Sequence, residues 1–170
     1  MEVEEVPRRL DRLDRKISAH MRRWGDPALR MSLAIIFVWF GILKPLGLSP
    51  AAPLVRATTA WMPLFGPDQW VAIIGWWEVA IGLTFLFRAT TRVAIALLAM
   101  QMVGTFLPLI LLPGVTFQAG HIPYAPTVEG QYIIKNLLII SAALVLGGTV
   151  RDSQKAEGRR QKAEVKTPGE

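Results

Sequence analysis

The sequence contains no cysteine. That absence excludes a disulfide scaffold, thiol redox chemistry, cysteine-ligated metals and attachment of a c-type haem. Histidine is nearly as scarce, with only His20 and His121. Two imidazoles cannot alone build the usual haem or copper site of a membrane protein. Acids are thin through the middle of the chain: between residues 30 and 150 they are Asp68, Glu78 and Glu129. Also missing are a Walker phosphate loop, an HExxH pair, a GxSxG elbow and a dinucleotide fingerprint. With no nucleophile arrangement and no ligand cluster, no catalytic or metal-binding residue is assigned, and an enzyme is the least favoured class.

Apolar residues are abundant instead. They make up 52% of the 170 residues, with a mean hydropathy of +0.36. This is too apolar for an ordinary soluble domain and suits a small integral membrane protein. The net charge of +6 is not a nucleic-acid signature here, because the basic residues gather in two tails and one short loop beside apolar segments. The lipid bilayer is the expected partner. The first apolar run begins at Met31, after a long mixed-charge segment. It therefore reads as a retained helix rather than a cleaved signal peptide.

Four runs of roughly 18 or more residues with little charge read as membrane spans, at 30–48, 70–87, 93–112 and 131–150. The expected fold is an all-α integral membrane protein, a four-transmembrane-helix bundle preceded by an amphipathic interfacial helix. In this reading residues 1–29 form a basic amphipathic segment, 30–150 the transmembrane domain and 151–170 a charged, disordered tail. Leu10, Leu13, Ile17, Met21 and Trp24 share one helical face, with basic residues over much of the remainder and Gly25 as a stop signal. Such a helix lies on an anionic membrane surface or packs on another subunit. Between the first two spans, the segment around Arg56 suits a short interfacial helix, and Pro108 predicts a kink in the third span. Of the 19 Lys and Arg, eight fall in residues 1–30, two in 88–92 and six from 151 onward. The positive-inside rule then puts both termini in the cytoplasm of a bacterial-type inner membrane.

The second span, 70–87, carries a single charge, Glu78. An ionisable residue at the centre of a span costs about 2.5–3.5 kcal/mol on insertion scales, so a partner is required. Helix rise places Lys44 roughly 9 Å, Glu78 about 12 Å and Lys135 about 7 Å below the outer surface of the hydrocarbon. The faces agree with a meeting point. Val71, Gly75, Glu78 and Gly82 form one seam; Ala34, Phe37, Gly41 and Lys44 form another; Leu97, Gln101, Gly104 and Pro108 a third. Small residues on those seams let helices approach closely. Lys44, Glu78, Lys135, Asn136 and Gln101 are therefore the candidate polar pocket. It either binds a small molecule such as a quinone or only pins the bundle. Gln101 and Asn136 serve equally as interhelical hydrogen-bond glue, and Lys135 has the option of snorkelling outward.

Arg30, Trp39, Gly41 and Lys44 stand in the order Arg, apolar run, Trp-x-Gly-x-x-Lys. Gly75, Glu78 and Gly82 follow as Gly-x-x-Glu-x-x-x-Gly, and Gly130, Lys135 and Asn136 as Gly-x-x-x-x-Lys-Asn. This set resembles the YkgB family, the reactive-chlorine-resistance membrane protein C type, within the DoxX-like superfamily. The resemblance covers about residues 30–150. Departures are Asn136 where the family commonly has Asp, a shorter loop after the first span, and Thr105, Phe106 and Leu107 where the family has Ser-Phe-Leu. The resemblance implies a four-helix inner-membrane protein associated with oxidative or chlorine stress. Other DoxX-like relatives imply quinone-coupled chemistry or a membrane oxidoreductase partner. Three roles remain: a stress-defence accessory factor with a quinone-class ligand, a small transporter with Glu78 titrating, or a structural subunit of a larger complex or homo-oligomer.

The orientation predicts a labelling pattern. A membrane-impermeant maleimide should label Ala119→Cys from outside and reach Ala89→Cys only after permeabilisation; the reverse pattern would invert the topology.

Overall fold

The computed structural model describes residues 5–166, with side chains described from 10 to 149. Seven α-helices appear in order: α1 Glu5–Leu43, α2 Ala52–Thr59, α3 Pro67–Leu86, α4 Thr91–Phe106, α5 Pro108–Leu111, α6 Pro113–Thr116 and α7 Val128–Lys166. Among the described residues there is no strand, only an isolated antiparallel bridge between Phe117 and Pro126. Four stretches are long and apolar enough to cross a membrane: Leu10–Leu43, Pro67–Leu86, Arg88–Leu111 and Val128–Thr149. The chain is thus an all-α, multi-pass membrane protein.

Local chemistry explains the boundaries. Lys44 precedes Pro45, which cannot continue a helix, and the chain turns away through Gly47 at φ 72°. A segment carrying Arg56 forms α2, as its sequence suggested. α3 starts where Pro67 takes the first helical position and Asp68 the first turn. There the Gly66 N–H donates to Gln69 Oε1 at 2.9 Å. A single 3-10 turn, Arg88–Thr90, joins α3 to α4. The Thr90 hydroxyl donates to the Thr84 carbonyl at 2.7 Å there, satisfying a helix end. The third span is interrupted at the expected proline, with Leu107 still in helical conformation. Pro108 cannot donate to the Gly104 carbonyl, so α4 ends at Phe106 and α5 restarts after Leu107.

Two boundaries differ from the sequence reading. Gly25 does not stop the first helix, which runs unbroken for 39 residues through Pro27 into the first span. The helix is already formed on both sides of Gly25, and propagation through one poor residue costs only about 1 kcal/mol. At the other end, α7 continues to Lys166, where disorder was expected from the lack of apolar periodicity. Extending an existing helix is far easier than nucleating one, and Ala, Lys, Glu and Arg favour it. Residues 167–170 of that tail lie outside the described residues, as do residues 1–4.

An apolar core including Leu33, Phe37, Ile81, Phe85, Leu98 and Leu146 joins all four spans. The closest approach is between α1 and α3, where helix backbones touch. A Cβ on Gly41 would sit 2.8 Å from the Gly75 carbonyl oxygen and 2.9 Å from the Val79 nitrogen. One on Gly82 would sit 2.9 Å from both the Ala34 carbonyl oxygen and the Val38 nitrogen. The small-residue seams of α1 and α3 are thus consumed inside the protomer by each other, whereas Gly104 of the third seam is exposed. Beyond the bundle, the 113–130 connection is an ordered cap on α7. Thr127 N–H donates to the Thr116 carbonyl at 2.9 Å, and Gly130 lies so close that a Cβ would overlap that same oxygen.

Gly82→Ala is expected to lower stability against thermal unfolding in detergent by about 1–3 kcal/mol through overpacking. Gly104, with nothing within 4 Å of its Cβ position, should tolerate Ala with no loss, or a gain of up to about 1 kcal/mol from helix propensity. Equal melting temperatures for the two variants would remove backbone contact as the constraint on this bundle.

Candidate functional site

Three of the five candidate residues meet. Lys44, on the turn that ends α1, donates from Nζ to Glu78 Oε2 on α3. Gln101 on α4 donates from Nε2 to the other carboxylate oxygen, Oε1, at 3.1 Å. Both oxygens of the only acid in α3's apolar stretch are therefore engaged, by donors from two different helices. The Gly41–Gly75 contact lies one turn away and sets the separation: a Cβ on Gly75 would reach Lys44 Cβ at 2.7 Å and Pro45 Cδ at 2.6 Å. The pair is well shielded, with side-chain exposures of 7% for Lys44 and 14% for Glu78. In this setting removal of one partner leaves an uncompensated charge.

Lys135 and Asn136 do not join the group. Lys135 is exposed, with Nζ 5.8 Å from the centroid of the Tyr132 ring. Depth along a helix does not fix azimuth. The Lys135 stem lies outward on α7, where a long side chain reaches polar surroundings and an aromatic face. Asn136 spends its amide on its own helix, donating to the carbonyls of Tyr132 at 2.9 Å and Ile133 at 3.2 Å. His121 sits exposed in the 113–130 cap, edge-on to Tyr124 with ring centroids 5.7 Å apart, and takes no part in the Lys44 group.

A second polar layer lies at the opposite end of the bundle, and the sequence reading missed it. Asp26 Oδ2 accepts from Arg30 Nε at 3.0 Å and from Arg88 Nη2 at 3.3 Å. Its Oδ1 accepts from the Thr149 hydroxyl at 2.9 Å. Arg30 is buried and reaches across with Nη1 to the Thr91 hydroxyl. One carboxylate and one guanidinium thus tie α1, the 3-10 turn, α4 and α7 together. A signal was present in the sequence: Asp26 is the only acid between Asp14 and Asp68, placed where the apolar run begins. Trp77, read as a packing or lipid-facing residue, also bridges helices, donating from Nε1 to the Leu97 carbonyl at 3.3 Å.

The two layers differ in chemistry. In the Asp26 layer one carboxylate accepts from two guanidiniums and a hydroxyl, and Arg30 reaches a second hydroxyl at Thr91. In the Lys44 layer the donor count is uneven. An ammonium carries three N–H donors, and the structure gives Lys44 Nζ one acceptor. This arrangement suits a neutral acceptor such as a carbonyl oxygen. The chain matches no family model, no curated protein and no solved structure.

Lys44→Met should lower stability by about 3–5 kcal/mol, by stranding the Glu78 carboxylate. Lys135→Met should stay within about 0.5 kcal/mol of the parent. Pairing Lys44→Met with Glu78→Met should recover much of the loss, because no lone charge remains. Thermal unfolding of the purified set in one detergent checks all three, and a destabilised Lys135→Met would restore that residue to the buried group.

Proposed function

We propose that this chain is a DoxX-like, YkgB-like protein of a bacterial-type inner membrane, with both termini in the cytoplasm, acting as an accessory factor in redox or oxidative-stress defence. Its Lys44–Glu78–Gln101 group receives the polar end of a small membrane-soluble molecule, and a quinone head group is the chemical class. The carrying observation is the spare donors on Lys44: with one Glu78 oxygen held by Lys44 and the other by Gln101, a carbonyl oxygen would add to the ammonium's shell. Lys44 would hold that oxygen, Glu78 would position the ammonium, and Gln101 would keep Glu78 oriented. A quinone supplies two-electron redox chemistry when bound; the protein's part is to bind and orient it. The ordered motif set at Arg30, Trp39, Gly41, Lys44, Gly75, Glu78 and Gly82 supports the family reading. In the same reading residues 5–29 form an interfacial amphipathic helix, supported by the exposed apolar side chains of Leu10, Leu13, Ile17, Met21 and Trp24.

A second reading has its own observation. The backbone contact at Gly41 and Gly75 sets Lys44 against Glu78 with or without a ligand, as a structural subunit of a larger membrane complex, or a homo-oligomer, would require.

Native mass spectrometry of the detergent-extracted protein separates these. A bound quinone-class molecule is expected on the parent and on Lys135→Met, and should be lost from a folded Gln101→Leu or Lys44→Gln variant. Co-purification of a larger enzyme without any small molecule would support the structural reading instead. Proton flux in liposomes that Glu78→Gln abolishes would make the chain a transporter.

A further inference from the structure

The first helix carries one exposed apolar stripe along nearly its whole length. Leu10, Leu13, Ile17, Met21 and Trp24 are each between 54% and 69% exposed. At 3.6 residues per turn, steps of three or four residues continue the same face through Ala28 to Met31, Ile35, Trp39 and Ile42, also exposed. Half a turn away, Leu33, Ala34, Phe37 and Gly41 are buried against the bundle. In the spanning half of α1 the stripe is therefore the face turned from the bundle, which in a membrane is the face turned to lipid. In the projecting half it keeps that phase. Arg12, Arg15 and Arg22 fall on the opposite side, in register with Asp26 and Arg30.

This phase relation has a geometric consequence. If the projecting segment bends away from the bundle, the lipid-side face rotates to meet the surface of the leaflet it has just left. The opposite side, with Arg15 and Arg22, then turns to water, while Lys16 and Arg23, which flank the stripe, come to headgroup level. A bend toward the bundle would do the reverse and drive the stripe into water. The sequence is weakest where a bend would have to be. Pro27 lies inside the helix and cannot donate to the Arg23 carbonyl. Gly25 has open space around its Cβ position, and glycine is the poorest helix former after proline. Between them Asp26 is held by Arg30, Arg88 and Thr149, which anchors the bundle side of the joint.

We propose that Gly25–Pro27 is a hinge on which residues 5–24 swing outward, docking Leu10, Leu13, Ile17, Met21 and Trp24 into the adjacent leaflet of an anionic membrane. The inference rests on the interfacial reading of this segment and adds its direction, its pivot and its lipid class. Continuity with the lipid-facing side of the span names the occupant, and the flanking basic residues name the headgroup charge.

Because the chain has no cysteine, nitroxides can be placed singly on the full-length protein at Ile17→Cys, Met21→Cys and, on the opposite face, Ala19→Cys. Reconstitution is in phosphatidylcholine vesicles with and without phosphatidylglycerol, and accessibility is read with oxygen and a water-soluble nickel chelate. Expected is an oxygen-to-nickel ratio several-fold higher at Ile17 and Met21 than at Ala19, increased by phosphatidylglycerol. Gly25→Ala combined with Pro27→Ala should collapse that difference. An unchanged difference in the combined variant would overturn the hinge and leave the interfacial reading standing. Water-like values at all three positions would overturn both. Nitroxide–nitroxide broadening at Ile17 in either lipid would assign the stripe to a second copy and overturn the proposal.

Discussion

Backbone contact between α1 and α3 is the constraint on which the rest of the bundle depends. Glycines at 41, 75 and 82 remove the side chains that would otherwise hold the two helices at the usual 8–10 Å spacing. In hydrocarbon there is no hydrophobic drive between helices, so close van der Waals contact and buried polar bonds must supply the association. The glycines contribute both at once. They bring the backbones together, and by doing so they bring Lys44 within reach of Glu78. A side chain at Gly75 would collide with the Lys44 stem itself.

The apolar core lies between two polar layers, and the layers serve different ends. The Asp26–Arg30 layer joins α1, α4 and α7, and the turn between α3 and α4, with charge-assisted bonds, which are stronger than neutral ones. It closes the end of the bundle from which both long helices project. The Lys44–Glu78–Gln101 layer joins three helices and leaves α7 out. Buried ion pairs are poor contributors to net stability because desolvation offsets their attraction. Retention of two such layers in a chain this small therefore favours roles in alignment or ligand handling over simple stabilisation.

Much of this arrangement was legible in the sequence because membrane spans announce themselves through long apolar runs, and interhelical faces through small residues at three- and four-residue steps. The seams through Gly41 and Lys44, through Gly75 and Glu78, and through Gln101 were readable on that basis. Lys135 was misplaced because helix rise gives depth along the normal and says nothing about which way α7 is turned. Asp26 escaped notice because it sits among many arginines, where one acid looks like a neutralising surface residue. Its partners Thr91 and Thr149 are distant in sequence, and only packing brings them together. The continuity of α1 through Gly25 and Pro27 was hidden for a related reason: local breaker signals are weak against a long helix already nucleated on both sides.

The three-residue turn at Arg88–Thr90 bears on how the carboxylate enters hydrocarbon during biogenesis. α3 and α4 form a tight antiparallel hairpin, and Gln101 lies on the arm facing Glu78. The entropic cost of closing so short a connection is small. Glu78 therefore has a hydrogen-bond donor within its own insertion unit, before any meeting with α1 is needed. Lys44 adds a countercharge at one carboxylate oxygen, while the other is engaged within the hairpin itself.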